Sequence, residues 1–392
     1  MLSAKLPRVD RFNGINNVSD PMRLGLEWLA TAENVNITDT GSLVVREGYI
    51  QAQAGAFSAA YSTADFERMY VVDGGVLKAM AGKTSSYAIK SGLANTPMFW
   101  AEVNQQVYFN NGLDSGIVMP DNSVQPWSWP LPVAPTLKAV TGGLPAGLYR
   151  ACITYVLPDG RETGPSDSVE LLLAKGEALQ VSGISQVTGF KTRVYIAPAD
   201  STVFQLADTP TGTATVWNFS PDYLGADLTT QQLYPVPQGT DVIQAWRGRM
   251  YAAQYLPTNG QTVIWFSQPM GYHLFKLDSD YIAVSGKVRM LAPHDSGLVI
   301  GTDKAIHLYD GTNLSTLTDY GVVPGQHWVK DGERILFWST RGLCEALPFT
   351  NLTERQVSVA PGIQAGGAIV CDGGQKRSVV ALQQGGSAFN SR

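Results

Sequence analysis

The sequence contains few charged side chains. Asp, Glu, Lys and Arg make up 16% of the 392 residues, whereas about 25% is usual in soluble globular domains. The formal net charge is −5. A protein that binds nucleic acid over its surface needs a basic footprint, because binding displaces counterions from the phosphates. The composition therefore disfavours a general nucleic-acid-binding protein.

Cysteine is also scarce, and long apolar runs are missing. Cys152, Cys344 and Cys371 lie far apart, with no Cys-x-x-Cys pair and no neighbouring histidine. This spacing disfavours a disulfide framework or a zinc site and predicts small buried side chains in a protein made in a reducing cytosol. No segment approaches the roughly 18 apolar residues of a membrane span. The first residues, MLSAKLPRVDRFNG, lack the apolar segment of a signal peptide.

Groupings of residues typical of catalysis are missing as well. None of the four histidines forms an HxH or HExxH motif. His294, Asp295 and Ser296 are consecutive, so a turn is favoured over a triad. Asp278 and Asp280 would suit a glycosidase but also suit a turn. We predict no enzymatic activity, no catalytic, cofactor-binding or metal-binding residues, and no cofactor, with a hydrolase as the least favoured interpretation.

Glycine, in contrast, is abundant and marks the turns of repeated hairpins. Each of six segments combines two short apolar strands with a turn containing Gly, Asn or Asp. They are 65–80, 102–119, 245–268, 292–311, 329–348 and 368–382. The downstream copies begin about 35 to 45 residues apart, a spacing typical of propeller blades. We predict an all-β fold with a β-propeller of about five to seven blades. An ordinary β-sandwich with long hairpins is the alternative.

The middle of the chain has a different pattern. Residues 126–140, PWSWPLPVAPTLKAV, indicate a stiff linker, and a second Pro-rich segment, LYPVPQGTD, spans 233–241. Between them, Tyr149, Ala151 and Ile153 alternate with other residues, which predicts a strand with one more deeply buried face. We therefore predict a β-sandwich of about seven strands, inserted in the propeller.

The predicted domains follow from these patterns. Residues 1–130 would form the N-terminal segment and the first blades, 131–238 the inserted sandwich, and 239–392 the remaining blades and the ring closure. Trp127 and Trp129 lie beside prolines of the first linker. Large aromatic side chains in such a linker predict an interdomain or intersubunit contact.

A helix signal occurs near the N-terminus, in DPMRLGLEWLATAENV (20–35). Asp20 can cap a helix, and Pro21 suits its first position. Apolar residues from Leu24 to Leu29 recur at roughly helical spacing. A short helix and a loop with a single turn both fit this segment.

Two parts of the sequence resemble virion structural proteins of tailed bacteriophages, of the tail-nozzle or tail-hub kind. Near the N-terminus the matching pieces are Gly14-Ile15-Asn16-Asn17, Ala32-Glu33-Asn34-Val35-Asn36 and Gly41 to Tyr49. In the middle, AGLYRACITYVLPDGRETGPSD (146–167) is similar to an immunoglobulin- or fibronectin-like sandwich inserted in such proteins. It matches at Gly147, Tyr149, Thr154, Tyr155, Asp159, Gly160, Glu162, Thr163, Pro165 and Ser166. The C-terminal hairpins match only in general pattern.

The resemblance implies a structural role without an activity. It implies a subunit of a nozzle or hub ring that forms part of the DNA-ejection conduit, with DNA passing through the lumen without specific binding. The partners would be further copies in a ring homo-oligomer, expected to be a hexamer, together with portal, adaptor or other tail proteins and tail fibres. The protein would be made in the host cytoplasm and located in the virion tail. A receptor- or glycan-binding tail tip or fibre protein is the competing interpretation.

The N-terminal strand GSLVVREGY suggests how a propeller ring could close. Leu43, Val45, Arg46 and Tyr49 lie in this strand, which is predicted to pair with a strand near RSVVAL (377–382). Such pairing would remove the two free edges of an open ring. The alternative is that this strand begins the first blade and closes nothing.

Overall fold

The structure, a computed structural model, describes residues 9–48, 50–372 and 375–384. The described residues form β-strands in ten sheets, with two short 3-10 turns at Pro21–Arg23 and Pro221–Tyr223. The predicted all-β class is therefore confirmed. Within these ranges, no helix has the length and apolar character needed to cross a membrane.

The chain divides into two compact units. The first contains the described residues of Met1–Phe99, Tyr255–Thr262 and Val284–Arg392, and the second contains Trp100–Gln254 and Val263–Ala283. Residues 131–238 thus share a unit with strands on both sides of them. The domain boundaries at 131 and 238 stay a prediction.

Short strands make up the N-terminal part of the first unit. A parallel pair joins β1 to β2, and an antiparallel pair joins β3 to β4. The strands are β1 (Gly14–Ile15), β2 (Trp28–Leu29), β3 (Val35–Ile37) and β4 (Leu43–Val45).

The segment 20–35 is a loop with one turn and not a helix. Asp20 Oδ1 accepts a hydrogen bond from the Met22 amide at 3.0 Å, and the chain is extended again at Leu24. Gly25 disfavours a helix by about 1 kcal/mol relative to alanine. The apolar side chains here remain partly or fully exposed, so tertiary packing does not compensate.

Outside the middle of the chain, the larger sheets are antiparallel, and consecutive strands are neighbours in almost every case. Most residues of the sheet formed by residues 240–285 belong to the second unit. The strands are β5 (Phe57–Ser62), β6 (Met69–Asp73), β7 (Val76–Met80), β8 (Ser86–Lys90); β9 (Phe99–Val103), β10 (Gln106–Asn110), β11 (Ser115–Val118), β12 (Val124–Gln125); β20 (Thr240–Trp246), β21 (Arg249–Leu256), β22 (Gln261–Gln268), β23 (Gly271–Phe275), β24 (Tyr281–Ser285); β25 (Val288–His294), β26 (Gly297–Thr302), β27 (Ile306–Tyr309), β28 (Leu314–Thr318); β29 (Val329–Asp331), β30 (Arg334–Ser339), β31 (Gly342–Glu345), β32 (Thr350–Asn351); and the hairpin β33 (Gln364–Asp372) and β34 (Gln375–Gln383).

The hairpins predicted from the sequence lie within these sheets. Residues 65–80, for example, contain the hairpin β6–β7, which turns at Gly74 and Gly75. Gly75 has φ +78°, and a Cβ there would come within 2.7 Å of the Leu93 carbonyl oxygen. The turn therefore requires glycine both for its backbone conformation and for space.

Residues 136–217, termed the two-sheet body, form seven strands in two antiparallel sheets. One sheet has the order β13-β16-β19 and the other β15-β14-β17-β18. Both sheets contribute to one core, in which Tyr149, Ile153 and Leu179 are fully buried. The strands are β13 (Thr136–Leu144), β14 (Gly147–Val156), β15 (Val169–Leu173), β16 (Glu177–Ser182), β17 (Lys191–Ala197), β18 (Gln205–Asp208) and β19 (Ala214–Trp217).

Consecutive sheets of the first unit also share apolar cores. Val299 of β26 and Phe337 of β30 belong to one buried cluster, which joins sheet β25–β28 to sheet β29–β32. Trp338 of β30 and Ala365 of β33 belong to another, which joins sheet β29–β32 to the hairpin β33–β34. Each sheet in this series therefore covers an apolar face of the next.

Candidate functional site

Trp127 is fully buried in the second unit, where the chain passes from β12 to the two-sheet body. Its indole N–H donates to the carbonyl oxygen of Tyr272 at 2.8 Å. Its ring meets Tyr108 of β10 and Phe275 of β23 edge to face, with centroid distances of 5.9 and 6.2 Å. Sheets β9–β12 and β20–β24 therefore share an aromatic core, although the whole two-sheet body separates them in sequence.

Arg161, in the turn after β14, joins the two-sheet body to this core. Its guanidinium donates to the carbonyl oxygens of Trp127 and Pro126, the latter at 2.7 Å. It also pairs with Asp159 at 2.7 Å. A guanidinium offers several N–H donors in a fixed plane, which suits two consecutive carbonyls.

His273 completes the group of residues around Trp127. Its Nε2 lies 3.1 Å from the carbonyl oxygen of Glu162, which accepts its N–H. Burial, and then the positive charge of Arg161, lower the pKa of His273 to about 4. Burial raises the pKa of Tyr108 to about 12. Both side chains are thus neutral near pH 7. Trp127, Tyr108, Phe275, Arg161 and His273 are termed the Trp127 junction.

Trp129 lies in a different contact. It is half-buried and meets Phe190 edge to face at 4.8 Å, and Phe190 in turn meets Tyr155 of β14 at 6.3 Å. Trp127 thus packs against residues that precede the linker in sequence and against residues that follow the two-sheet body. Trp129, in contrast, packs against the two-sheet body itself. A contact between subunits stays a prediction for both.

Glu162 holds the turn after β14 against the two-sheet body. Its carboxylate accepts hydrogen bonds from Thr154, from Arg193 at 2.6 Å and from the Tyr195 hydroxyl at 2.9 Å. Burial, and then the charge of Glu162, raise the pKa of Cys152 to about 12. A thiol with this pKa stays protonated and unreactive. The cluster is therefore suited to fixing the turn and not to nucleophilic chemistry.

The chain enters and leaves the two-sheet body at neighbouring points. Gly164 lies against both Leu131 and Leu233, and a Cβ at this glycine would overlap the Leu233 carbonyl oxygen. The strands before and after the body are also bonded to each other, since Asn110 Nδ2 donates to the Thr240 carbonyl oxygen at 2.7 Å.

In the first unit, the two asparagines of the Gly-Ile-Asn-Asn motif connect the N-terminal segment to a later one. Asn16 Oδ1 accepts from the amides of Val18 and Ser19 at 3.2 and 3.0 Å, which shapes the turn. The Asn17 amide donates to the Gln356 carbonyl oxygen at 2.9 Å. The Asn17 side chain donates to the Ser358 carbonyl oxygen at 3.0 Å and accepts from the Ser358 amide at 2.7 Å. Asn17, Gln356 and Ser358 are termed the Asn17 clasp.

The structure differs from the predicted ring-closing pairing. Leu43 and Val45 lie in β4, which pairs with β3, while β34 pairs with β33. Arg46 extends the local hairpin, since its amide donates to the Asn34 carbonyl oxygen at 2.8 Å. Pairing with a sequence neighbour costs less loop-closure entropy than pairing with the far end of the chain. Tyr49 lies outside the described residues.

Three of the residues weighed for catalysis, Asp280, His294 and Ser296, make structural contacts. Asp280 Oδ2 accepts from Arg249 at 3.3 Å and from Gln268 at 3.0 Å. The amide of Ser296 donates to His294 Nδ1 at 3.0 Å, in the predicted turn. Two surface clefts of about 160 and 400 Å³ each lack a pair of carboxylates.

The titratable side chains show no metal-binding arrangement within the described ranges. No group of three or more His, Cys, Asp or Glu side chains there could hold a metal ion. The predicted burial of the cysteines is confirmed for Cys152 and Cys344 and is wrong for Cys371, which is exposed.

No protein-family model and no curated protein matches the chain. Among solved structures, the extracellular domain of BT4673 from B. thetaiotaomicron has 11% identity and a TM-score of 0.29, over 82% of this chain and 36% of that one. The present chain therefore spans about a third of that protein's length.

Two further solved structures show similarly low scores. PorZ, a surface component of the type-IX secretion system of Porphyromonas gingivalis, has 13% identity and a TM-score of 0.25, over 78% of this chain and 38% of that one. A functionally unknown protein from Desulfotomaculum acetoxidans has 11% identity and a TM-score of 0.33, over 88% of this chain and 94% of that one. Scores of this size carry no functional assignment.

Proposed function

We propose that the protein is a structural subunit of a bacteriophage tail, in a nozzle or hub ring around the DNA-ejection path. It would be made in the host cytoplasm and form a ring homo-oligomer, with six copies expected from the resemblance. Portal, adaptor or other tail proteins and tail fibres would dock on this ring. DNA would pass through the lumen without specific binding and without any enzymatic step.

The proposal includes a fold in which the sheets outside the two-sheet body are blades of one propeller and the body is an inserted sandwich. Shared cores between consecutive sheets of the first unit support blade-like stacking. In the second unit, Trp127 and the Asn110–Thr240 hydrogen bond join sheet β9–β12 to sheet β20–β24, although the two-sheet body lies between these sheets in sequence. An insertion between two successive blades would produce this contact.

The observation that carries the proposal is the part played by Asn16 and Asn17. Their motif is one of those on which the resemblance to tail proteins depends. Asn16 shapes a turn with its side chain, and Asn17 binds Gln356 and Ser358 through three hydrogen bonds. The motif thus has an architectural task here that uses both asparagines, as expected for a feature of a shared framework.

The state of the polar side chains agrees with a role that involves no chemistry. Glu162 and Asp280 are hydrogen-bonded to arginines, and burial raises the thiol pKa values of Cys152 and Cys344. A net charge of −5 also disfavours adhesion to passing DNA.

The test is a symmetry-resolved cryo-electron microscopy map of the phage particle with this chain located in it. We expect a closed ring on the tail axis directly below the head. Copies at the periphery or at the distal tip would contradict the conduit function and favour a receptor-binding role.

One observation favours that second candidate, a receptor- or glycan-binding tail tip or fibre protein. Phe219 and Tyr223, which follow β19, are 57% and 74% exposed, with ring centroids 6.2 Å apart. Exposed aromatic side chains are common in binding surfaces. Binding of the protein to host-surface glycans that is lost in the Phe219→Ala/Tyr223→Ala variant would support this function.

A further inference from the structure

The N-terminal arm, defined as residues 9–48 and 50–56, exposes apolar side chains that its own chain does not cover. Along the described sequence, buried hydrophobic residues begin only at Tyr70. The exposed large apolar side chains of the arm are Val18, Met22, Leu26, Leu43, Val44, Val45 and Ile50. An accumulation of this kind marks a contact surface, because burying apolar surface stabilises a protein by about 25 cal/mol per Å², and these side chains do not gain that free energy within their own chain.

Strand β4 is the part of the arm that is best suited to bind another strand. Leu43, Val44 and Val45 are all exposed, so both faces of the strand are apolar and uncovered. Within the described residues, β4 belongs to a two-stranded sheet with β3 only. Its other edge therefore presents backbone N–H and C=O groups that can receive a strand.

The same unit contains an edge that could receive β4. Strand β8 is the last strand of sheet β5–β8, and its Tyr87 and Ala88 side chains are exposed. Lys83 precedes this strand and Lys90 ends it. Neither lysine has an ion-pair partner within the described part of the chain. Among the described residues, no further strand pairs with the β8 edge, although Gln53 of the arm donates to Ser86 Oγ at 3.0 Å. The edge is thus available for backbone pairing, partly apolar and basic at both ends.

The charges around β4 complement those around β8. The exposed residues Asp39 and Glu47 flank β4, one on each side. A carboxylate would therefore lie near a lysine at each end, whichever direction the added strand takes. Two like charges also lie near β4: the half-buried Arg46, and Arg11, whose side chain lies against Gly41. Donor strand and acceptor edge are present in one chain, yet they do not pair with each other in it.

We propose that β4 of one copy adds to the β8 edge of the next, so that the partner of the arm is a second copy of this chain. This inference rests on the proposed function, because it supplies the contact between neighbours in a ring. Donor and acceptor are different surfaces, so the contact is head-to-tail. Contacts of this type generate a closed ring when the rotation between copies allows closure.

Cross-linking between copies tests the contact directly. In a Cys371→Ser background, Val45→Cys and Ala88→Cys variants are prepared separately, mixed and treated with a short bismaleimide. We expect covalent dimers in the mixture and almost none in either variant alone. A matched mixture of Ala88→Cys with Leu172→Cys, which places the second thiol on the two-sheet body, should give none.

Charge exchange provides an independent test by native mass spectrometry. Lys83→Glu/Lys90→Glu and Asp39→Lys/Glu47→Lys should each weaken self-association roughly tenfold. Combining all four changes should restore it, which a folding defect would not do. The control Lys138→Glu/Lys175→Glu makes the same charge change on exposed residues of the two-sheet body and should have little effect.

The outcomes separate this inference from the proposed function. A wild-type ring that forms normally, with no cross-link and no response to charge exchange, would overturn the arm contact and leave the ring intact. A chain that remains monomeric at every concentration and gives no cross-link would overturn both.

Discussion

The Trp127 junction and the Asn17 clasp each join segments that are distant in sequence, but they do so with different interactions. The junction buries aromatic rings and binds backbone carbonyls through Trp127 and Arg161. The clasp is an exposed side-chain amide bound to the backbone of Ser358. The clasp spans 341 residues and the Trp127–Tyr272 bond spans 145. The exclusion of water, and not the length of chain that is bridged, should therefore set the strength of each contact.

The largest effect is expected from Trp127→Ala. Loss of a fully buried tryptophan should lower the free energy of unfolding by about 3–5 kcal/mol. Urea titrations followed by far-ultraviolet circular dichroism would measure it. The control is Trp129→Ala, which removes a half-buried ring and should cost less than half as much. Equal losses would contradict the ranking of the two linker tryptophans.

The second-largest effect is expected from acidification, which should reduce the contribution of the Trp127 junction to the free energy of unfolding. The pKa of His273 is lowered from its ordinary 6.5 to about 4, so the unfolded chain binds the proton first as the pH falls. Its contribution is therefore complete above about pH 6.5 and is lost progressively towards about pH 4, by roughly 2–3 kcal/mol.

The variant His273→Gln keeps a donor for the Glu162 carbonyl oxygen and should flatten the dependence of stability on pH. His327 of the first unit has a pKa lowered to about 4 in the same way, so His327→Gln should flatten it separately. The clasp contains no titrating side chain, and an Asn17→Ala variant should keep the wild-type slope. If His273→Gln left the dependence of stability on pH unchanged, His273 would not contribute to that dependence.

Arg161→Met should have an intermediate effect. It leaves the carbonyl oxygens of Pro126 and Trp127 and the charge of Asp159 without their partner, at a cost of about 2 kcal/mol. The matched control is Arg334→Met. Arg334 pairs with Glu345 at 2.7 Å but is 52% exposed, so its loss should lower the free energy of unfolding less than the loss of Arg161 does. If Arg334→Met lowered the free energy of unfolding more than Arg161→Met does, burial would not explain the strength of the Trp127 junction.

The smallest effect is expected from Asn17→Ala, at about 1 kcal/mol, because water can replace the lost hydrogen bonds. Hydrogen exchange of the Ser358 amide should accelerate, since Asn17 Oδ1 accepts from it. Asn17→Asp keeps this acceptor but places a charge beside the Ser358 carbonyl oxygen, and should be worse than alanine at pH 7. Unchanged exchange at Ser358 in both variants would show that the clasp contributes nothing.

The sequence predicted the central hairpins of the sheets better than their outer strands. The hairpin β6–β7 has buried residues in both strands and a Gly-Gly turn, so it leaves a local pattern. Strand β28, Leu314–Thr318, has no fully buried side chain and therefore no apolar alternation. Outer strands of this kind are fixed by backbone pairing with a neighbour, which composition does not record.

Only part of the Trp127 junction and of the Asn17 clasp could be predicted from the sequence. A tryptophan between prolines identified Trp127, but Tyr272, Phe275 and Arg161 are its neighbours only through tertiary packing. The N-terminal strand that contains Leu43 and Val45 was predicted to pair with a strand near residues 377–382, and the structure does not show this pairing. β4 follows a tight turn and pairs locally, whereas a single asparagine makes the long-range bond.

The neighbouring positions of Leu131 and Leu233 have a consequence for how this protein can change. Both residues lie against Gly164, and Asn110 is bonded to Thr240 without any help from the two-sheet body. A segment whose two ends coincide can be gained, exchanged or deleted in a single recombination event while the surrounding strands keep their register. In genetic terms, we predict that residues 131–238 can be exchanged as one unit.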